Sequence, residues 1–216
     1  MLEVCVDSIA GLLAAEAGGA QRIELCARLD LGGLSPAREL LDAAIARTKL
    51  PLHVMVRPRA GDFVATAAEL LAMEAEIAGL RDRGGVAGVV FGVLTPAGRV
   101  DVAATRRLLA AARPLSVTFH RAFDAAADLD QALEDLVELG VDRILSSGGA
   151  ADAYAGRARL GELVRRARGR LVVMAGGGVR PGNVAAILAE TGVLEVHGSV
   201  PLRLPGREGY RRSSQE

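Results

Sequence analysis

The chain of 216 residues has three histidines, and one of them ends a strand-like run beside an arginine and an aspartate. The stretch is TFHRAFD, residues 118–124, with His120, Arg121 and Asp124. An imidazole, a guanidinium and a carboxylate at one strand end suit acid–base work, or an anionic or hydroxyl ligand. The plainer alternative is that Arg121 or Asp124 caps the following helix. Glu3, Glu24, Glu195, His53, His197 and Arg57 fall on other strand-like runs with a shared side-chain parity. Carboxylates gathered in one interior push each other's pKa upward, which is the tuning that catalytic groups need. From this set Glu24, His120 and Arg57 are expected as acid, base and electrostatic stabiliser. Glu3, Arg121, Asp124, Glu195 and His197 are further candidates. A structural ion-pair network is the competing reading.

Two cysteines, Cys5 and Cys26, share the same parity on neighbouring strands. Adjacent strands lie about 4.8 Å apart, so both sulfurs can reach one soft ion. Cu(I) favours thiolate, thioether and imidazole donors, and Met55 and His53 face the same interior. Against this, free cysteines often serve as small buried hydrophobes, and the chain has no CxxC motif. No organic cofactor is implied.

Glycine-rich turns form a third feature. The run AGGGVRPGN (175–183) follows one strand, and HGS (197–199) closes the last. Backbone N–H groups at Gly176, Gly177, Gly178 and Ser199 fit a phosphate, with a helix expected to start near Arg180–Pro181. Tight strand-to-helix turns would look the same. One chemistry is excluded: Lys49 is the only lysine, and it precedes a strand at the opposite rim. A Schiff-base aldolase needs a lysine inside the barrel.

These residues must be positioned by eight short strand-like runs: 2–6, 22–26, 52–56, 88–93, 115–120, 143–147, 171–175 and 194–198. Amphipathic segments alternate with them at about 8–18, 35–47, 66–83, 101–112, 128–138, 157–167 and 180–190. Ser35, Asp101 and Asp128 sit where helices start, and Gly18, Gly84, Gly140 and Gly192 where they stop. Strict alternation implies parallel strands. An open parallel sheet would read apolar on both faces. Here Leu2, Val4 and Val6 oppose Glu3 and Cys5, and Leu115, Val117 and Phe119 oppose Thr118 and His120. The polar face therefore points into a closed (β/α)8 TIM barrel, α/β in class and a single domain. Residues 1–199 form the barrel and 200–216 a short tail. Pro201, Pro205 and Gly206 make a final helix missing or short, leaving the seam between the first and last strands partly uncovered. A homo-oligomer contact is expected there.

Half the residues are apolar, and acidic and basic residues are equal in number. No basic excess marks a nucleic-acid partner. Apolar runs are too short to span a membrane, and no signal peptide opens the chain. A cytoplasmic, reducing location with free thiols follows. The expected ligand is a metal ion or a small molecule.

Together CVDS (5–8), GGAQRIELCARLDLGGLSP (18–36), HVMVRPRAGDF (53–63), VFGVLTPAGRVD (90–101), TFHRAFD (118–124), RILSSGG (143–149), MAGGGVRPGN (174–183) and LEVHGS (194–199) resemble the CutC family of copper-homeostasis proteins. The resemblance runs in order from residue 2 to about residue 199. It implies a cytosolic, oligomeric (β/α)8 barrel with a role in copper tolerance and a cysteine pair as the Cu(I) site. That pair is Cys5 and Cys26. Charged family positions fall on Glu24, Arg57, Arg59, Asp62, His120, Arg121 and Asp124. The alternative to copper handling is a barrel enzyme acting on a small polar, phosphorylated metabolite.

Overall fold

The computed structural model describes residues 1–199; the tail expected at 200–216 lies outside them. Eight parallel strands close on themselves in chain order. They are β1 (Leu2–Val6), β2 (Arg22–Leu25), β3 (Leu52–Met55), β4 (Gly88–Phe91), β5 (Ser116–Phe119), β6 (Arg143–Ser146), β7 (Val172–Ala175) and β8 (Glu195–Ser199). Between them run α1 (Ile9–Ala17), α2 (Arg38–Arg47), α3 (Ala67–Arg83), α4 (Val102–Ala112), α5 (Leu129–Leu139), α6 (Arg157–Ala167) and α7 (Val184–Thr191). The expected TIM barrel is therefore the observed fold, and β1 pairs with β8 to close it.

The strand alternation builds the two environments. Val4, Ile23, Leu25, Val54, Val89, Phe91, Val117, Phe119 and Ile144 point outward into one apolar layer. They pack against Leu12, Leu41, Ile77, Leu108, Leu133, Leu160 and Ile187 from the helices. Each fully buried Leu or Ile contributes about 1.5–3 kcal/mol, so this layer dominates stability. The opposite face leaves the barrel axis to the polar residues.

Helix ends match their expected signals in most places. Asp101 and Asp128 accept hydrogen bonds from the first turns of α4 and α5. Thr66 and Glu69 form a reciprocal capping box on α3. Two starts differ from expectation. Ala37, not Ser35, precedes α2, because the Ser35 hydroxyl is taken by the Arg57 amide and Glu76. The last helix starts at Val184 rather than near Arg180–Pro181. There the Asn183 side chain accepts from the Arg180 amide, folding 180–183 into a turn first.

Candidate functional site

Inside the barrel the polar residues form two layers. In the lower one, Arg22 Nε donates to Glu3 Oε2 at 2.5 Å, and its Nη2 donates to Glu195 Oε2 at 2.6 Å. Arg143 Nε donates to the same Glu195 oxygen at 2.7 Å and reaches Thr118 at 3.2 Å. Two carboxylates are thus balanced by two guanidinium groups, as buried charges require. Arg22 and Arg143 were not singled out in the sequence. The signal was there: Arg22 has the same parity as Glu24, two residues on. His53 belongs to this layer, with Nδ1 3.8 Å from Glu3. Gly88 on β4 makes room for it, since a Cβ there would lie 2.6 Å from His53 Nε2. Burial holds His53 neutral, with its pKa lowered to about 4 despite the nearby Glu3.

The upper layer holds the sulfurs. Cys5 stands level with Glu24 in the β1–β2 register, and Cys26 follows directly after β2. The two Sγ atoms are 3.0 Å apart as free thiols, and Cys5 Sγ lies 3.4 Å from Glu24 Oε1. Met55 packs into the same cluster with both cysteines and Val90. His197 joins the layers: its Nδ1 is 2.7 Å from Glu3 Oε1 and 3.6 Å from Glu24 Oε2. Cys5, Glu24 and His197 each present a ligand atom within 4.8 Å of the others. Glu24 Oε2 is buried without a hydrogen-bond partner. So Cys5 belongs to two overlapping donor sets. One is soft (Cys5, Cys26, Met55) and one is mixed (Cys5, Glu24, His197). His53 pairs in register with Glu24 but approaches Glu3, and it is not in the Cys5–Glu24–His197 group.

Electrostatics at this point is finely opposed. The contact with Cys26, then burial and Glu24, push the Cys5 thiol well above its ordinary pKa. Burial raises Glu24, only partly offset by His197. Burial disfavours charge on His197, yet Glu24 and Glu3 outweigh it and raise its pKa. For Glu3, burial is outweighed by the hydrogen bond and charge of His197 and by Arg22, and its pKa falls to about 2.

Above the sulfurs a cavity of about 1210 Å³ opens at the C-terminal ends of the strands, where barrels of this kind carry their sites. Glu24, Arg57, His120, Arg121, Asp124 and His197 all reach its lining. His120 directly follows β5, and its Nδ1 accepts the Ala122 amide at 3.1 Å, capping a 3-10 turn at Arg121–Ala125. Gly92 leaves space for the ring, as a Cβ there would lie 2.5 Å from Nδ1. Burial and the Arg57 charge lower the His120 pKa to about 3. Asp124 does not cap α5. It accepts from the Ser146 hydroxyl (2.6 Å), the Ser147 amide (3.0 Å) and the Gly149 amide (3.1 Å), and it pairs with Arg121 at 2.8 Å. Asp124 thereby ties the loop after β5 to the loop after β6.

The glycine turn is split. Gly177, Gly178 and Ser199 line the cavity, whereas the Gly176 amide is spent on Ser146. Arg59 and Asp62 pair with each other, and Arg59 also with Glu69, away from the cavity lining. Lys49 is exposed ahead of β3, outside the barrel interior. Phe63, not foreseen in the sequence, lies with its ring 5.1 Å from that of His120. It comes from an irregular loop, where side-chain direction has no periodic signal.

A closed parallel barrel with a polar axis defines a (β/α)8 barrel, and Cys5, Glu24 and His197 place possible ligand atoms together inside it. The chain matches the CutC family model over residues 1–201 and belongs to that family. A CutC family protein of Chromobacterium violaceum is 48% identical over 98% of this chain and 85% of its own. One from Caulobacter vibrioides is 47% identical over 96% and 84%. The CutC protein of Streptococcus agalactiae, solved under a copper-homeostasis designation, superposes with a TM-score of 0.86. It is 32% identical, covering 92% of this chain and 97% of that one. Phosphoribosyl anthranilate isomerase from Thermococcus kodakaraensis shares the fold alone. It is 17% identical over 92% of this chain and 87% of that one, with a TM-score of 0.58.

Proposed function

We propose that this CutC-family protein handles Cu(I), with Cys5 and Cys26 as its principal ligands. The observation that carries the reading is the 3.0 Å contact between two free thiols beside a methionine. A pair of sulfurs with an adjoining thioether is the donor chemistry that selects Cu(I) over harder ions. Glu24 and His197 adjoin Cys5 and extend the set toward borderline ions such as zinc. Contact with Cys26, then burial and Glu24, push the Cys5 thiol above its ordinary pKa, so metal entry there displaces a proton. Copper homeostasis, the designation of the Streptococcus agalactiae relative, is in keeping with this site. The protein acts in the reducing cytoplasm as a homo-oligomer, which the free cysteines and the exposed Leu194 at the seam support.

Anaerobic Cu(I) titration against a competing chelator tests the assignment. Wild type is expected to take up copper tightly, and the Cys5→Ser/Cys26→Ser double variant to bind at least about a hundredfold more weakly. Equal affinity and stoichiometry in the two proteins would refute it.

A second reading is favoured by the size of the mouth. A cavity of about 1210 Å³ far exceeds the needs of one ion. Its polar lining fits a barrel enzyme acting on a small polar metabolite. Glu24, Arg57 and His120 would serve the reaction, and Gly177, Gly178 and Ser199 would hold a phosphate. Isomerase, lyase and hydrolase chemistry all remain compatible with that lining.

A further inference from the structure

Among the described residues, Arg57 is a cation with no carboxylate partner. Its guanidinium donates to the carbonyls of Leu31 at 3.2 Å, Gly33 at 3.3 Å and Gly61 at 2.9 Å. Arg59, two residues on, is paired with Asp62 and Glu69. No carboxylate does the same for Arg57 among the described residues, and the charge that bears on it is that of Arg59. The Nε–H is buried with no partner. A guanidinium has about five N–H donors, so Nε–H and one more are left after the three carbonyls. The Phe63 ring supports the group from one side, 4.9 Å from Cζ.

His120 meets the same ring from another direction. Because its Nδ1 accepts the Ala122 amide, a neutral ring carries its proton on Nε2. The residue lines the cavity, so that N–H is a donor available to a ligand. The position is built, not incidental: Gly92 is the residue that makes room for the ring.

We infer that Arg57 and the Nε2–H of His120, grouped around Phe63, form a subsite for the carboxylate of a small organic molecule. With Arg57 Nε buried out of reach, one Nη2–H and the His120 Nε2–H remain, which match the two oxygens of a carboxylate. A phosphate has more oxygens to satisfy and would do better at the amides of Gly177 and Gly178, across the mouth. The inference rests on the second reading, in which the mouth receives a metabolite, and gives that metabolite an acid group. It does not require copper.

The test is a titration of copper-free protein followed by ¹H–¹³C spectra of the imidazoles, which are resolvable because the chain has three histidines. The probes are potassium acetate, malonate and phosphate at constant ionic strength. Acetate and malonate are expected to shift the His120 signal saturably. Arg57→Met is expected to weaken that binding about tenfold or more. Arg57→Lys keeps the charge but loses the guanidinium held by the three carbonyls, and it decides the matter in the same direction if Arg57→Met does not fold. A wild type that shows no saturable shift with either carboxylate overturns the inference, as does unchanged affinity in the folded variant. Phosphate binding without carboxylate binding also overturns it. That last result would leave an enzyme with a phosphate site standing, so the two failures are told apart.

Discussion

At the scale of single residues, the site is governed by what burial does to each ionisable group. Cys26, burial and Glu24 push the Cys5 thiol well above its ordinary pKa, and Glu24 Oε2 is buried without a hydrogen bond, with His197 Nδ1 3.6 Å away. Arg22 and Arg143 matter in the opposite sense. They neutralise Glu3 and Glu195 so that the floor of the barrel needs no ligand. His120 gives a pH prediction. Its folded pKa is about 3, below the ordinary value of 6.5. The unfolded chain therefore takes up a proton that the folded chain refuses. The stability it contributes is complete above pH 6.5 and is lost as pH falls toward 3. Between about pH 7.5 and about pH 5 that loss is about 2 kcal/mol. Urea unfolding of wild type and His120→Gln at the two pH values checks it. The variant is expected to show the smaller acid loss, and an equal loss would count against a buried neutral imidazole.

At the scale of elements, β4 sets the width of the interior. Gly88 on its inward face leaves room for His53, and Gly92, just past its end, leaves room for His120, with Val90 between them against the sulfurs. A Cβ at Gly88 would also lie 2.7 Å from the Ser116 carbonyl, which is backbone and cannot swing aside. Gly88→Ala is therefore expected to cost about 1–3 kcal/mol, as overpacking does. The midpoint of denaturant unfolding reads this directly, and an unchanged midpoint would mean β4 is not tight. Strand periodicity made most of this interior legible in the sequence. Glu3, Cys5, Glu24, His53 and His197 could be placed on one face because alternation fixes side-chain direction. Arg22 shares that parity with Glu24, but its place beside Glu3 appears only once β1 and β2 pair. The loops were less legible still. Nothing periodic announces that Asp124 binds the β6 loop or that the Gly176 amide is already used. Those bonds join segments distant in sequence and exist only once the barrel closes.

At the scale of the whole molecule, the closed barrel divides the work: helices and outward residues supply stability, and the axis is left to chemistry. Leu194, just ahead of β8, is 81% exposed, and Met1, whose amine donates to the Leu194 carbonyl, is also exposed. Such apolar groups near the β1–β8 seam are suited to a second copy of the chain. Sedimentation at concentrations on the order of tens of micromolar is expected to show self-association, reduced in Leu194→Glu. A strictly monomeric wild type would remove the seam contact. The central claim is narrower: Cys5 and Cys26 act as one soft metal centre at the barrel mouth. X-ray absorption at the copper edge of the Cu(I)-loaded protein tests it most directly. A first shell dominated by sulfur, lost in Cys5→Ser/Cys26→Ser, is the predicted spectrum. A shell of nitrogen and oxygen alone, unchanged by that substitution, would contradict it.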